Sequence, residues 1–320
     1  MPSARVAAGK PVAAAAAPTM AVKGLSSVSA AAAAADSGSV VAALETHGVV
    51  RVNSAITNGM ASELLGWVNK SLNAALAETQ GHEEFGEAWQ ARFGDVLKGH
   101  NRHDVKLSLG TPQVRTALST LLSTLGPAIA ASLGDDALLY ELAALISLPG
   151  SRRQPVHADI PISDERRTDA GATILTAFCA LQDIDATMGP TLFLPATHTA
   201  EAHADFFTYE TFDLVFDSGD DEDEAEQEED RELAARTAAL LESWSACRAE
   251  LGAGDVALYD GRCLHAGDAN TSPRQRVLFY CSFATAEHAR TSTRGTILDD
   301  LRGKHALSDW REWTWSSSED

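Results

Sequence analysis

Residues 254–283 read GDVALYDGRCLHAGDANTSPRQRVLFYCSF, and their pattern decides the fold. Two runs rich in apolar and aromatic residues, 256–259 and 276–283, stand on either side of a segment dense in Gly, Asp, Asn and Pro. Gly254-Asp255 is a turn signal, and His265 begins a further short run. Short apolar runs bounded by such turn residues predict β-strands.

The same kind of short run recurs upstream, at residues 142–148, 172–181 and 191–195. Many short strands with frequent turns are typical of a β-sandwich or barrel. The N-terminal part differs, because two of its segments carry apolar residues at helical spacing. These residues are Met60, Leu64, Leu65, Val68 and Leu72 in the first segment and Leu118, Leu121, Leu122 and Leu125 in the second. With a short helix over 37–47 and a strand over 48–54, the sequence predicts a mainly β fold with flanking helices.

The composition is that of a globular protein with a large core. The chain has 320 residues, of which 45% are hydrophobic, and a β-barrel with flanking helices can use that length as one domain. The formal net charge of −20 argues against binding to nucleic acid, because the phosphates would be repelled. No run approaches the roughly 18 uninterrupted apolar residues of a membrane span. We therefore expect a soluble protein with no nucleic-acid partner and no membrane span.

The N-terminal segment differs in composition from the rest of the chain. The first 35 residues contain no Asp or Glu, are rich in Ala and Ser, and include Arg5, Lys10 and Lys23. Such a segment has too little apolar surface to fold alone, so we expect a disordered leader over 1–36 and a single domain over 37–320. The basic, acid-free character also fits an organellar transit peptide. Both interpretations stay open.

The four cysteines and the leader bear on the cellular compartment. The cysteines are scattered and form no C-x-x-C pair, which indicates reduced thiols in an intracellular protein. If the leader is a transit peptide, the protein is expected in a plastid or mitochondrion, and otherwise in the cytoplasm.

A dense acidic run interrupts the strand series at residues 217–232. It holds eleven acidic side chains and one arginine, so it carries about half of the net charge. Like charges at this density repel one another and stay solvated. We therefore expect a disordered surface insertion within the domain.

The chain contains two His-x-Asp pairs, His157/Asp159 and His203/Asp205. Residues i and i+2 of a strand point to the same side, so such a pair can deliver an imidazole and a carboxylate to one metal ion. Two imidazoles and one carboxylate on one face of the metal are the ligand set of ferrous oxygenases. His157 follows a Pro/Gly turn that leads into a predicted strand, whereas His203 lies in a segment without strand character. The sequence therefore predicts His157 and Asp159 as ligands and the second pair as surface residues.

The third ligand has to come from a distant part of the chain, and His265 is the candidate. A lone His is more often a buried structural residue, but His265 is followed by Arg276 inside an otherwise apolar strand. A guanidinium that enters a barrel must meet an anion, since an unpaired buried charge is very costly. A dicarboxylate is such an anion, because the planar guanidinium can donate two hydrogen bonds to a carboxylate. Gln154 could bind the same ligand, or it could be a polar turn residue.

In its order and spacing, this series of motifs resembles the phytanoyl-CoA dioxygenase family, over about residues 40–285. The segments that carry the resemblance are Pro149-Gly150, Gln154-Pro155-Val156-His157-Ala158-Asp159, Ala180-Leu181-Gln182-Asp183, Gly189-Pro190-Thr191-Leu192, Pro195-Ala196-Thr197-His198, Gly254-Asp255, His265, Asn270-Thr271-Ser272 and Arg276. The sequence departs from the family in two places. Pro195-Ala196-Thr197-His198 replaces the usual Pro-Gly-Ser-His, and the acidic insertion is not a family feature.

The resemblance implies a double-stranded β-helix (jelly-roll, cupin-like) core that binds Fe(II) through His157, Asp159 and His265. It also implies that Arg276 holds the distal carboxylate of 2-oxoglutarate. The expected enzyme is a dioxygenase that consumes 2-oxoglutarate and O₂, hydroxylates a C–H bond of a small-molecule substrate such as an acyl or CoA-linked compound, and releases succinate and CO₂. Because family members that halogenate lack the carboxylate ligand, Asp159 predicts hydroxylation.

Two other interpretations of the same residues remain open. One is a zinc- or manganese-dependent hydrolase or isomerase that uses the same three ligands, because such a ligand set does not specify the metal absolutely. The other is a jelly-roll binding module without catalytic activity. The sequence gives no prediction of the oligomeric state.

Overall fold

The computed structural model describes residues 23–82, 86–94, 96, 101–162, 172–206, 235, 241, 244–292 and 295–312. The strands in this part of the chain are β1 (Lys23–Gly24), β2 (Ser27–Ser29), β3 (Val49–Asn53), β4 (Arg102–Lys106), β5 (Leu138–Ser147), β6 (Ile174–Ala180), β7 (Thr191–Phe193), β8 (Cys247–Arg248), β9 (Val256–Asp260), β10 (His265–Gly267) and β11 (Arg276–Ala284). The α-helices are α1 (Ala30–Ala35), α2 (Gly38–His47), α3 (Asn58–Thr79), α4 (Glu87–Gln90), α5 (Pro112–Leu133), α6 (Ala200–Phe206) and α7 (Ala286–Thr291), and a 3₁₀ turn covers Leu307–Asp309.

The strands form two sheets that pack face to face. The larger sheet has the strand order β2-β3-β9-β6-β11-β5-β4, and the smaller has the order β1-β8-β7-β10. Pairing is antiparallel except at β1 with β8 and β2 with β3. Phe193 of the smaller sheet lies 5.0 Å, ring centroid to ring centroid, from Tyr259 of the larger. The predicted mainly β fold with a jelly-roll core and flanking helices is confirmed.

The larger sheet is buried on both faces, so it takes part in two cores. On β9, Leu258 packs with the helices while its neighbour Tyr259 packs toward the smaller sheet, as the alternation of side chains along a strand requires. The helices α3 and α5 supply apolar side chains to the first core, including Leu64 and Leu121, which are both fully buried. The space between the two sheets is therefore the place where the strands present polar side chains without exposing them.

Helix α5 is long and apolar enough to cross a membrane by length and composition alone. Its buried residues include Val114, Leu118 and Leu122, and it packs against α1, α3 and the larger sheet. Burial of this kind is typical of the core helix of a globular domain.

The folded part begins earlier than the predicted boundary at residue 36. Strand β1 pairs with β8, β2 pairs with β3, and α1 packs on α5 with Ala33 buried. The segment has too little apolar surface to fold alone, but it packs at the edges of the sheets and on α5. Its composition cannot show these tertiary contacts. Residues 1–22 and the predicted acidic insertion at 217–232 lie outside the described residues.

Candidate metal centre and anion site

Side chains from two distant parts of the sequence converge in one place. His157, Asp159 and His265 each offer one ligand atom, and these atoms all lie within 4.8 Å of one another. The Nε2 atom of His265 is 3.6 Å from Oδ1 of Asp159. Two imidazoles and one carboxylate in this arrangement could hold one metal ion, with its other coordination positions open.

The backbone brings the two histidines together by a single antiparallel bridge. The N–H of His157 donates to the carbonyl of His265 at 2.9 Å, and the reverse bond is 2.8 Å. The regular strand predicted for His157 is absent, because Pro155 stands opposite Gly267 and has no N–H to continue the ladder. Instead the N–H of Gln154 donates to the Gly267 carbonyl at 2.8 Å. One bridge is enough to place His157 beside the first residue of β10.

Both histidines are prepared to bind a metal through Nε2. Nδ1 of His157 lies 2.9 Å from the carbonyl of Pro155, and Nδ1 of His265 lies 2.9 Å from the carbonyl of Cys263. A carbonyl only accepts hydrogen bonds, so each Nδ1 carries the proton and each Nε2 keeps its lone pair. Burial lowers the pKa of both imidazoles to about 4, so both are neutral at neutral pH.

The carboxylate is held by a residue that sequence reasoning missed. The hydroxyl of Tyr259 donates to Oδ2 of Asp159 at 2.9 Å, while Oδ1 faces His265. Tyr259 is 1% exposed, and its ring packs at 5.0 Å from the His265 ring. Burial raises the pKa of the Tyr259 hydroxyl well above its usual value, so it stays a donor. The only signal in the sequence was its place on β9, six residues before His265.

A second cluster, the anion site, is formed by Arg276, Arg102 and Ser147. Register places Ser147 of β5 opposite Arg276 of β11 on one side and opposite Arg102 of β4 on the other. Nη2 of Arg276 donates to Oγ of Ser147 at 3.0 Å, and Nη1 of Arg102 donates to the same oxygen. Arg276 is fully buried and Arg102 is 2% exposed.

Among the described residues no carboxylate is in contact with either guanidinium, although the charge of Asp268 raises the pKa of both. Their other hydrogen bonds go to backbone carbonyls, from Arg276 to Gly189 and from Arg102 to Arg152, Gly267 and Asp268. Nε of each is buried without a partner. Burial lowers the pKa of Arg276 to about 9, with the nearby charge of Arg102 as the next cause. Two like charges at this depth form a site for an anion.

The anion site adjoins the metal cluster. The charge of Arg102 is among the causes that lower the pKa of His157. Gln154, predicted as a cofactor-binding residue, is buried beside Arg102, and its Oε1 accepts the N–H of Gly267 at 3.0 Å. A Cβ on Gly267 would lie 2.4 Å from that Oε1 and 2.9 Å from Nη1 of Arg102, so a side chain at this position would displace both groups. Arg102 was missed by sequence reasoning, because it stands in a polar segment without apolar neighbours.

The second His-x-Asp pair does not join the metal cluster, but its histidine is not on the surface as predicted. His203 is 1% exposed, accepts the N–H of Ile162 on Nδ1 at 3.0 Å, and lies 2.7 Å through Nε2 from the carbonyl of Arg262. It follows that His203 ties two loops together, and the prediction of a surface position was wrong. The side chain of Asp205 lies outside the described part of the chain.

The fold and these clusters define a class: a jelly-roll protein with a candidate site for one metal ion next to a candidate site for an anion. The comparison with protein families makes this more specific. The model of the phytanoyl-CoA dioxygenase (PhyH) family matches residues 44–278, most of the chain, and the chain therefore belongs to that family. The predicted family is confirmed, and with it, at the level of the family, the predicted cofactors: iron, with 2-oxoglutarate and O₂ as co-substrates.

Solved structures with a similar fold include two enzymes of nogalamycin biosynthesis. The non-heme α-ketoglutarate-dependent epimerase SnoN is 20% identical over 78% of this chain and 82% of its own, with a TM-score of 0.49. The α-ketoglutarate-dependent carbocyclase SnoK is 19% identical over 79% of this chain and 86% of its own, with a TM-score of 0.49. SnoN in complex with Fe³⁺, α-ketoglutarate and nogalamycin RO gives a TM-score of 0.48. A search of curated protein sequences finds no significant match.

Proposed function

We propose that the protein is an iron(II)- and 2-oxoglutarate-dependent dioxygenase that hydroxylates a C–H bond of a small organic substrate. The observation that carries the proposal is that the anion site lies next to the metal cluster. Two neutral histidines and an aspartate converge beside a pair of buried arginines that form no salt bridge within the described part of the chain. An oxygenase of this type needs both features together, one for the metal and one for the dicarboxylate.

In this proposal His157, Asp159 and His265 bind the iron, and Tyr259 orients Asp159 by its hydrogen bond to Oδ2. Arg276 and Arg102 bind the distal carboxylate of 2-oxoglutarate, with Ser147 between them. A carboxylate at this position would accept hydrogen bonds from the two buried guanidiniums and neutralise the repulsion between them.

The metal, when bound, supplies the redox chemistry that couples the reduction of O₂ to the oxidation of two organic molecules. 2-Oxoglutarate loses CO₂ and gains one oxygen atom to become succinate, and the second oxygen atom enters the substrate C–H bond as a hydroxyl. The part of the protein is to place both molecules and to keep the histidines in the tautomer that binds metal.

Hydroxylation is favoured over hydrolysis by the anion site. A hydrolase or isomerase with the same three ligands has no need of two buried arginines beside the metal. A binding module without activity has no need of a complete ligand set with both imidazoles in the metal-binding tautomer.

The test is the formation of succinate from 2-oxoglutarate by protein loaded anaerobically with Fe(II) and then exposed to O₂. We expect slow succinate formation without substrate, faster formation with a substrate found by screening, and none in Asp159→Ala. Asp299→Asn is the matched control, because the Asp299 side chain is 96% exposed and loses the same charge. Zinc or manganese in the purified protein, with no succinate under any condition, would overturn the proposal.

A further inference from the structure

Four polar side chains lie side by side on the inner face of the larger sheet. In register, Tyr259 of β9 is opposite Thr176 of β6, Thr176 is opposite Ser282 of β11, and Ser282 is opposite Glu141 of β5. Oγ1 of Thr176 is 2.9 Å from Oγ of Ser282, and the Ser282 hydroxyl donates to Oε2 of Glu141. Because Tyr259 donates to Asp159, this row leads from the metal cluster to Glu141.

Glu141 carries a half-buried carboxyl group, and no cationic side chain pairs with it within the part of the chain that the structure describes. Its two oxygens accept hydrogen bonds from the Ser282 hydroxyl and, at 3.3 Å, from the N–H of Thr296. Both donors are neutral, and no salt bridge to Glu141 forms within the described ranges. Burial and the nearby carboxylate of Asp159 raise the pKa of Glu141 to about 8. A buried carboxylate that only neutral groups stabilise is costly to keep.

The surroundings of Glu141 are acidic as well. Asp104 of β4 is 5% exposed and accepts the Tyr280 hydroxyl at 3.0 and 2.8 Å on its two oxygens. The charges that face Glu141 from the neighbouring strands are those of Asp104 and Asp159, and both are negative. The inner surface on this side of the metal cluster is therefore suited to positive charge.

The inner surface is divided by charge along β5. Ser147, at the anion site, is six residues from Glu141 on the same strand, which is about 20 Å of extended chain. The arginine end attracts a dicarboxylate, and the acidic side chains at the glutamate end do not. A molecule bound at the glutamate end therefore differs in charge from 2-oxoglutarate.

We propose that Glu141 recognises a positively charged nitrogen of the substrate, an ammonium, amidinium or guanidinium group, while a C–H bond of the same molecule lies next to the metal cluster. This proposal rests on the proposed function, since it names the substrate class of that site. An organic cation would give ionised Glu141 the partner that the described residues do not supply, whereas beside an uncharged acyl chain the carboxyl group would stay protonated.

The test measures binding of simple cations to the anaerobic Fe(II)·2-oxoglutarate protein, so that Asp159 is already occupied by metal. The probes are primary alkylammonium ions of increasing length, each compared with the alcohol of the same carbon skeleton. Affinity is measured by calorimetry, and closeness to iron by the paramagnetic broadening of the probe's proton NMR signals. We expect at least one ammonium probe to bind at least tenfold more tightly than its alcohol and to be broadened.

The variant Glu141→Gln removes the charge and keeps an acceptor oxygen for Ser282 or Thr296. It should bind iron and 2-oxoglutarate as the wild type does but lose the preference for ammonium, while the exposed-site control Asp299→Asn keeps it. An unchanged preference in Glu141→Gln would overturn the proposal. The proposal would also be overturned if the wild type bound each ammonium and its alcohol equally, or bound no probe at all. This comparison of probes on the wild type tests the proposal even if the variant does not fold.

The two proposals fail in different ways. If succinate is never formed but the ammonium preference depends on Glu141, the cation site stands and the dioxygenase assignment falls. If succinate is formed and the ammonium preference is absent, only the substrate class is wrong.

Discussion

The hydrogen bond from Tyr259 to Asp159 gives a prediction that the structure allows us to quantify. Tyr259→Phe removes one hydroxyl and leaves the ring, which packs against His265. A hydrogen bond to a charged group contributes about 1.5–3 kcal/mol. This one is present with or without metal, so most of its energy cancels in the metal affinity. The variant loses only the orientation that the bond gives Asp159 for metal binding. We therefore expect the lower end of the range for outer-sphere groups, about a tenfold rise in the dissociation constant of Fe(II), or about 1.4 kcal/mol.

The assay is an anaerobic titration of Fe(II) against a competing chelator, with thermal unfolding as a check on the fold. Tyr280→Phe is the matched control, because it makes the same change on the same inner face but its hydroxyl donates to Asp104. Its iron affinity should equal that of the wild type. The reasoning is refuted if Tyr259→Phe binds iron normally, or if both variants lose the same affinity, which would indicate a general effect of the interior.

Other predictions follow from the anion site, the second histidine pair and the buried acid. Arg276→Leu and Arg102→Leu should each raise KM for 2-oxoglutarate at least tenfold in the succinate assay while iron binding persists, and an unchanged KM would make that arginine structural. Asp159→Ala should lower iron stoichiometry in metal analysis. His203→Ala should lower the free energy of unfolding by about 1–3 kcal/mol, because a buried hydrogen-bonded group is lost, and should keep full iron stoichiometry in the folded protein. The opposite pattern would exchange the two assignments. The Glu141 carboxyl has an ordinary pKa of 4.5 that folding raises to about 8, so its contribution to stability is complete below pH 4.5 and is lost as pH rises through 8. In denaturant unfolding, the wild type should therefore lose stability relative to Glu141→Gln by up to about 1.4 kcal/mol per pH unit in that window and not outside it; a difference that does not change with pH would contradict the burial of this carboxyl.

The sequence was sufficient to predict the types of secondary structure and the residues that we propose as metal ligands. Short apolar runs between turn residues are a local signal, and β5, β6, β9 and β11 appear where the runs were found. The ligand residues could be predicted because the spacing of His157 and Asp159 restricts their geometry. His265 could be added only with the support of Arg276 in the next strand and of the resemblance, since a lone histidine has no local signal.

The sequence could not predict the partners of those residues. Arg102 lies 174 positions before Arg276, and only the order β4-β5-β11 in the larger sheet places both beside Ser147. Tyr259 and Leu258 are neighbours on one strand, and the pattern of β9 does not say which of them faces the metal cluster. The leader boundary differs for the same reason, because the six alanines of α1 favour a helix but are too few to hold one alone, and α1 packs on α5.

By itself, therefore, the sequence predicted which segments are strands and helices, the family, and the two proposed ligands that share one short segment, because these depend on interactions within a few residues. The tertiary structure decided that His203 is a buried link between loops, that two arginines share one serine, and that Glu141 stands at the end of a row that begins at Asp159. The last two depend on cross-strand register. Side chains alternate between the faces of a strand, so register sets which residues meet across the sheet, and it is set by the packing of the whole domain.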